Sequence, residues 1–199
     1  MNKNVQKKEA QMWAQLEEYL IQELDSDTAR TILTESQTKA HAFLAASDEP
    51  SPTRRATMQD TILPRVATYL ALKEAGQDAE GLMERYTRTV AGPAMHAFYA
   101  KAEKVPFFYA IFKALFGMVT QKSDAWVSEF AVQKGQFTLD IHRCLWYDTC
   151  CACGAPEACR FFCECDNYSF GELKKVGFRR TQTLGTGGDC CDFHFYKKR

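Results

Sequence analysis

Cysteine is absent from residues 1–143, and all nine cysteines of the 199-residue chain lie at or beyond Cys144. The chain also lacks a charge excess, since 25 lysines and arginines balance 25 aspartates and glutamates. This balance argues against nucleic acid or an anionic membrane as a partner. No apolar run has the length that spans a bilayer, and the N-terminus lacks the apolar segment of a secretory signal. We therefore expect a cytoplasmic protein with no nucleic-acid and no membrane partner.

Six of the cysteines lie in one short segment, CCACGAPEACRFFCECD, over residues 150–166. In a cytoplasmic chain such a cluster serves metal binding or chemistry more often than disulfides. Cys150 and Cys153 have a zinc-ligand spacing, but no second pair follows at the usual distance. The spacing leaves three interpretations open. The cysteines could bind structural zinc, form an active site, or serve as small buried apolar side chains.

Helical periodicity dominates the first part of the chain. We predict five helices, over residues 5–24, 28–46, 53–74, 78–102 and 106–121. Pro64 and the Gly92-Pro93 pair fall inside two of them, so we expect kinks or breaks there. The fifth helix carries an aromatic stripe that is typical of a buried core.

The second part alternates polar and apolar residues, which is typical of strands. Strands are predicted over 137–147, 177–185 and 191–197, a strand or short helix over 125–132, and a cysteine-bearing helix from Pro156 to about Tyr168. The predicted fold class is α+β, with an N-terminal helical layer packed on a small C-terminal antiparallel sheet. We expect one domain over 1–199, mainly helical over 1–122 and cysteine-rich over 123–199.

Side-chain periodicity predicts which cysteines face together. On the predicted helix, Cys159, Cys163 and Asp166 fall on one face. The helix macrodipole would favour a thiolate at Cys159, near the positive end. On the strand over 137–147, strict alternation places Cys144 on the face of His142, opposite Phe137, Leu139 and Ile141.

Two motifs resemble those of a known family. The segment FFCECD contains Cys163-x-x-Asp166 and follows a strand cysteine, Cys144. Further along, FRRTQTLGTGGDCCDF has the form F-x-R-x-x-T-L-x-x-G-x-x-x-C-D-F, with Cys191 before the Asp-Phe pair. Over roughly residues 140–195 this pattern resembles the L-2-amino-thiazoline-4-carboxylic acid hydrolase (ATC hydrolase) family. The resemblance implies that a cyclic isothiourea bearing a carboxylate is opened by water to N-carbamoyl-L-cysteine.

Such a reaction requires a nucleophile or an activated water, a base and a proton donor. We hypothesise that Cys163 is the nucleophile or a metal ligand, and that Asp166 is the base or an orienting carboxylate. Cys144 and Cys191 would complete this catalytic cluster. The predicted cofactor is none or unknown, with zinc as a candidate; its candidate ligands would be Cys144, Cys159, Cys163 and Cys191.

The predicted partner is a small-molecule substrate that carries a carboxylate. Arg180 is the predicted clamp for it, because a guanidinium binds a carboxylate at two points. Thr183 is a predicted hydrogen-bond donor, and His142 is an alternative base near the substrate. The cysteines outside the family pattern are Cys150, Cys151, Cys153, Cys159 and Cys165. They keep open a second hypothesis, a small-molecule-binding, metal-binding or redox-sensing module without catalysis, and a third, a cysteine-rich interaction domain.

Overall fold

The computed structural model of the protein describes residues 3–198. Their contacts form two compact units. The helical unit comprises the described residues up to Tyr86 together with Asp148–Ala158, and the sheet unit comprises Thr87–Tyr147 together with the described residues from Cys159 onward. The predicted α+β class is confirmed, because helices are accompanied by one small antiparallel sheet in the C-terminal part. The single domain over 1–199 stays a prediction.

The helical unit contains α1 to α5 and the end of α8. Their bounds are α1 Lys3–Glu23, α2 Ser26–Ala46, α3 Pro52–Thr57, α4 Leu63–Glu74, α5 Ala79–Tyr86 and α8 Leu145–Ala152. Asp25 caps α2 by accepting a hydrogen bond from the Thr28 N–H. Apolar side chains at helical spacing, such as Leu16, Leu20 and Val66, are fully buried and form the core of this unit.

The two prolines that lie inside predicted helices, Pro64 and Pro93, each follow a π-helical turn. The first turn is Met58–Ile62, before Pro64, and the second is Thr87–Ala91, before Pro93. A proline removes one backbone donor and crowds the carbonyl four residues earlier, and a wider turn relieves that clash. The expected interruptions are therefore π turns, and helix resumes after each of them.

The sheet unit contains α6 Gly92–Ala102, α7 Phe108–Lys122, α9 Cys159–Gly171 and the start of α8. Its strands are β1 Trp126–Gln133, β2 Gln136–Cys144, β3 Val176–Arg179 and β4 Cys191–Lys197. They pair antiparallel in the order β1-β2-β4-β3. The core is largely aromatic, and includes Phe112, Phe137, Phe170 and Phe195. The alternation predicted for the strand over 191–197 is confirmed, since Cys191, Phe193 and Phe195 are all buried on one face of β4.

Two strand predictions were too long. The strand predicted over 137–147 ends at Cys144, where α8 begins, and the strand predicted over 177–185 ends at Arg179. After Arg179 the Asp192 carboxylate accepts hydrogen bonds from the N–H groups of Thr181 (2.9 Å) and Gln182 (2.8 Å). These bonds satisfy backbone donors that a longer strand would have paired in the sheet.

A β-bulge reverses the predicted orientation of Cys144. Val127 pairs with Arg143 and Ser128 pairs with Ile141, so His142 is an extra residue in β2. The extra residue turns Cys144 to the core side, where it packs against the cluster that contains Ile141. The prediction that Cys144 and His142 share a face was wrong. The His142 side chain is 46% exposed and lies 3.8 Å from Glu129, on the solvent side of the sheet.

Among the helices of residues 3–198, none combines the length and the apolar character that crossing a membrane requires.

Candidate active site

Helix α9 contributes a thiol pair and a carboxylate to one side of the sheet unit. The Cys163 and Cys159 thiols, one turn apart, are hydrogen-bonded to each other. Asp166 lies within electrostatic range of Cys163. The helical spacing read from the sequence therefore brings these three side chains together, because residues four and seven positions apart lie on one helix face.

Arg180 links the loop after β3 to this face of α9. Its Nη1 donates to Asp166 Oδ2 at 3.1 Å and to the Cys163 carbonyl oxygen at 3.0 Å. The side chain is only 6% exposed, and its guanidinium lies 5.6 Å from the centre of the Phe193 ring. Arg180 already contacts a carboxylate of the protein, so a substrate carboxylate would use its remaining N–H groups. The clamp role stays a prediction.

The loop between β3 and β4 places polar donors against the thiols. The Thr183 hydroxyl is hydrogen-bonded to Cys163 and lies 3.0 Å from the Thr186 hydroxyl. The Leu184 N–H points at Cys191 Sγ, with N and S 3.4 Å apart. Gly187 closes the turn with φ 85°, a left-handed conformation that glycine adopts without strain. The family-like motif thus forms a loop that contacts two of the candidate thiols.

Gly185 lets this loop approach α9 closely. A Cβ at this position would lie 3.0 Å from Cys163 Sγ and 3.1 Å from Cys159 Sγ. We expect Gly185→Ala to shift the loop away from the thiols, to cost about 1–3 kcal/mol of unfolding free energy as overpacking does, and to lower turnover. Urea unfolding and kcat/KM would measure both. Gly171→Ala is the matched control, since nothing lies within 4 Å of its added Cβ; equal effects of the two substitutions would contradict the prediction.

Cys144 joins the group through the bulge in β2. It immediately precedes α8, and the N–H groups of Trp146 and Tyr147 hydrogen-bond its sulfur. Cys191 and Cys163 lie within electrostatic range of its sulfur. The structure therefore brings together Cys144, Cys163, Cys191 and Asp166, whereas His142 lies elsewhere.

These thiols are protonated at neutral pH. Burial raises the pKa of Cys144 to about 12 and that of Cys191 to about 11. The pKa of Cys163 lies well above its usual range, first because of its hydrogen bond with Cys159 and then because of burial. A thiol with a raised pKa is a weak nucleophile until its proton is removed.

Asp166 is a candidate acid and base, because its pKa lies near neutral pH. Burial raises its pKa to about 7, against the opposing effect of the Arg180 guanidinium. The side chain nevertheless keeps 32% of its surface exposed. A carboxyl with these properties can both accept and donate a proton near pH 7.

No group of three or more His, Cys, Asp or Glu side chains within residues 3–198 is arranged to hold a metal ion. All nine cysteines are free thiols. Among those outside the family pattern, Cys150 is fully buried in the helical unit, while Cys151 is exposed. The reading of such cysteines as small apolar side chains fits Cys150.

Sequence reasoning missed Tyr99. This residue lies on α6, which packs against α9, and its ring centre is 4.9 Å from that of Phe170. Burial raises the pKa of its phenol, and the charge of Asp166 raises it further. Only the packing of α6 on α9 brings Tyr99 near Asp166, and no motif in the sequence predicts that proximity. The Leu184 backbone donor was missed for the same reason.

One family of known proteins matches most of the chain. No curated protein and no solved structure matches the chain. Residues 54–195 match the family described as L-2-amino-thiazoline-4-carboxylic acid hydrolase, and this range includes every candidate thiol and Asp166. Since the match covers most of the chain, the protein belongs to the L-2-amino-thiazoline-4-carboxylic acid hydrolase family.

Proposed function

We propose that the protein hydrolyses 2-amino-thiazoline-4-carboxylate, or a closely related cyclic isothiourea with a carboxylate, to an N-carbamoyl amino acid. Family membership supplies the substrate class. The observation that carries the proposal is a carboxyl with a pKa of about 7, Asp166, paired with Arg180 and neighbouring a group of protonated thiols.

The reaction consumes one water. Water attacks the ring carbon that lies between nitrogen and sulfur, and a tetrahedral adduct forms. The carbon–sulfur bond then breaks, the carbon becomes a urea carbonyl, and the ring sulfur leaves as a thiol. As the carbonyl forms, the hydroxyl proton of the adduct passes to the ring nitrogen, which becomes an N–H of the urea. The site must remove the other proton of the water and return it to the leaving sulfur.

Asp166 is the residue suited to both transfers. As a carboxylate it accepts the proton of the attacking water, and as a carboxylic acid it delivers that proton to the departing sulfur. A pKa of about 7 suits both directions near neutral pH. Arg180 lies 3.1 Å from the carboxyl and favours the ionised form with which the cycle begins.

The raised pKa of Cys163 favours attack by water over attack by this thiol. A covalent route would first move the thiol proton to Asp166, which is a much stronger acid. Protonated Cys163 and Cys191 instead serve as weak hydrogen-bond donors toward the leaving sulfur. Cys163 as nucleophile stays a prediction; full activity of Cys163→Ala would eliminate it.

The same pKa values weigh against redox sensing, the main alternative without catalysis. Sensor cysteines need thiolate character and exposure. Cys163, Cys191 and Cys144 have raised pKa values because they are buried or hydrogen-bonded to another thiol. An enzyme that uses protonated thiols agrees better with these values.

The first experiment is a direct assay. Purified, reduced protein is incubated with L-2-amino-thiazoline-4-carboxylate, and N-carbamoyl-cysteine is measured by mass spectrometry. We expect product above the no-enzyme control. Chelator-treated and zinc-supplemented samples are run in parallel, so that a metal requirement is detected. No product from folded protein under any of these conditions would overturn the proposed function.

A further inference from the structure

Helices α6 and α7 and the turn between them expose an unusual amount of apolar side chain. Within residues 3–198, twelve large apolar side chains are exposed, and eight of them lie between Met95 and Val119. They are Met95, Phe98, Val105, Phe107, Ile111, Leu115, Met118 and Val119. We call these eight residues the α6–α7 surface. Concentration in one segment distinguishes it from scattered surface hydrophobics, which need no explanation.

Helix α7 is apolar on both sides. Phe108, Phe112 and Phe116 face the core of the sheet unit. The opposite side carries Ile111 and Leu115 at a spacing of four residues, and both are exposed. A helix that is apolar all round is normally covered on all sides by protein or lipid. The exposed side of α7 is therefore suited to contact with apolar groups of another protein or of a lipid.

Phe107 gives this surface a protruding tip. It is 87% exposed and has φ 55°, the one non-glycine residue among residues 3–198 with a positive φ. Phe98 on α6 is 68% exposed. Exposed phenylalanines beside an apolar helix face are typical of proteins that insert side chains into the headgroup region of a bilayer.

The exposed charges within the segment that carries the α6–α7 surface have one sign. From Gly92 to Lys122 the charged residues are four lysines, Lys101, Lys104, Lys113 and Lys122, and one acid, Glu103. Glu103 is buried and accepts hydrogen bonds from the N–H groups of Lys174 and Lys175. The next acid along the chain is Asp124, beyond the end of α7. The whole-chain balance of charge hides this local basic segment.

A groove adjoins the exposed side of α7. It has a volume of about 300 Å³ and lies between α7 and β1, with Met118, Phe130 and Val132 among its apolar walls. Lys113 and Lys122 also line it. An apolar groove flanked by lysines suits an acyl chain with an anionic headgroup, because the lysine stems cover apolar surface while their ammonium groups reach the charge.

We propose that the α6–α7 surface docks on an anionic lipid bilayer, with Phe107, Phe98 and Leu115 in the headgroup region and the lysines on anionic lipid. This departs from the expectation of no membrane partner, which rested on whole-chain charge. A second copy of the chain fits less well, because a two-fold contact through this surface would bring lysines against lysines. Docking is independent of the hydrolase proposal.

Vesicle co-sedimentation tests the docking. The 199-residue protein is mixed with vesicles of phosphatidylcholine alone or of phosphatidylcholine with phosphatidylglycerol, at low and high salt. We expect binding to the anionic vesicles that weakens with salt. Leu115→Gln should lower the partition coefficient about tenfold, and Lys104→Gln about fivefold. Phe107→Asn should act like Leu115→Gln, and asparagine tolerates the positive φ.

Ile21→Gln is the matched control, an exposed apolar residue at 39% exposure on α1. It should leave vesicle binding unchanged. Protein that stays in the supernatant with both vesicles would overturn the proposal, as would equal binding to neutral and anionic vesicles. A dimer whose dissociation constant rises in Leu115→Gln and Phe107→Asn would also overturn it, and would assign the surface to contact between two copies.

Discussion

Asp166→Asn should lower kcat/KM for 2-amino-thiazoline-4-carboxylate by about 10²- to 10⁴-fold, the range that a general base contributes. The amide keeps the size of the side chain but cannot accept the proton of the attacking water. The wild-type kcat/KM should rise with pH and level off above an apparent pKa of about 7, because the base must be ionised. Stopped assays across pH 5 to 9 would record this rise of kcat/KM, the acid limb of the pH profile, in the wild type. The variant should lack it.

Unfolding measurements check the same pKa without substrate. The pKa of Asp166 is raised from 3.8 to about 7 in the folded protein, so between these values the folded state keeps a proton that the unfolded state has released. The stabilisation is full below about pH 4 and is lost as pH rises through 7. The wild-type free energy of unfolding minus that of Asp166→Asn should fall by about 2–4 kcal/mol between pH 4 and 8. A constant difference would mean that Asp166 titrates normally.

Arg180→Gln should move the acid limb of the pH profile upward by about 1–2 pH units, because a cation next to a carboxyl lowers its pKa. The guanidinium lies 3.1 Å from Asp166 and opposes the effect of burial. Activity should therefore drop most at pH 6 to 7 and recover in part at pH 9. Circular dichroism would confirm that the variant is folded.

The neighbouring arginine supplies the control. Arg179 donates to His194 Nδ1 at 2.7 Å and is exposed, so Arg179→Gln should leave the pH profile unchanged. Arg180→Lys retains the charge and should keep the limb near pH 7, although a lysine cannot reproduce the planar contact with Asp166 and the Cys163 carbonyl. If the acid limb of the pH profile has the same apparent pKa in Arg180→Gln as in the wild type, Arg180 does not set the protonation of Asp166.

Local spacing was sufficient for several features of the site. The common face of Cys159, Cys163 and Asp166 followed from the helical repeat, and the buried face of β4 followed from strict alternation. The family resemblance, read from motifs over roughly 140–195, was confirmed by a match over 54–195. These features depend on residues close in sequence, which a periodic backbone orders without reference to the rest of the chain.

Features that depend on a single irregular residue were not predictable in this way. One extra residue in β2 turned Cys144 from the solvent side to the core. The interruptions before Pro64 and Pro93, expected as kinks or breaks, are π turns after which helix continues. In a strand, one extra residue moves every later side chain to the opposite face, and the hydrophobic pattern before that residue does not indicate it.

By itself the sequence determined the α+β class, the family and the residue types available for chemistry. Only the tertiary structure decided that the thiols are protonated, that Asp166 titrates near neutral pH, and that Tyr99 and the Leu184 N–H lie beside them. The reason is electrostatic: a pKa depends on burial and on charges within a few ångströms, and those neighbours come from segments far apart in the chain.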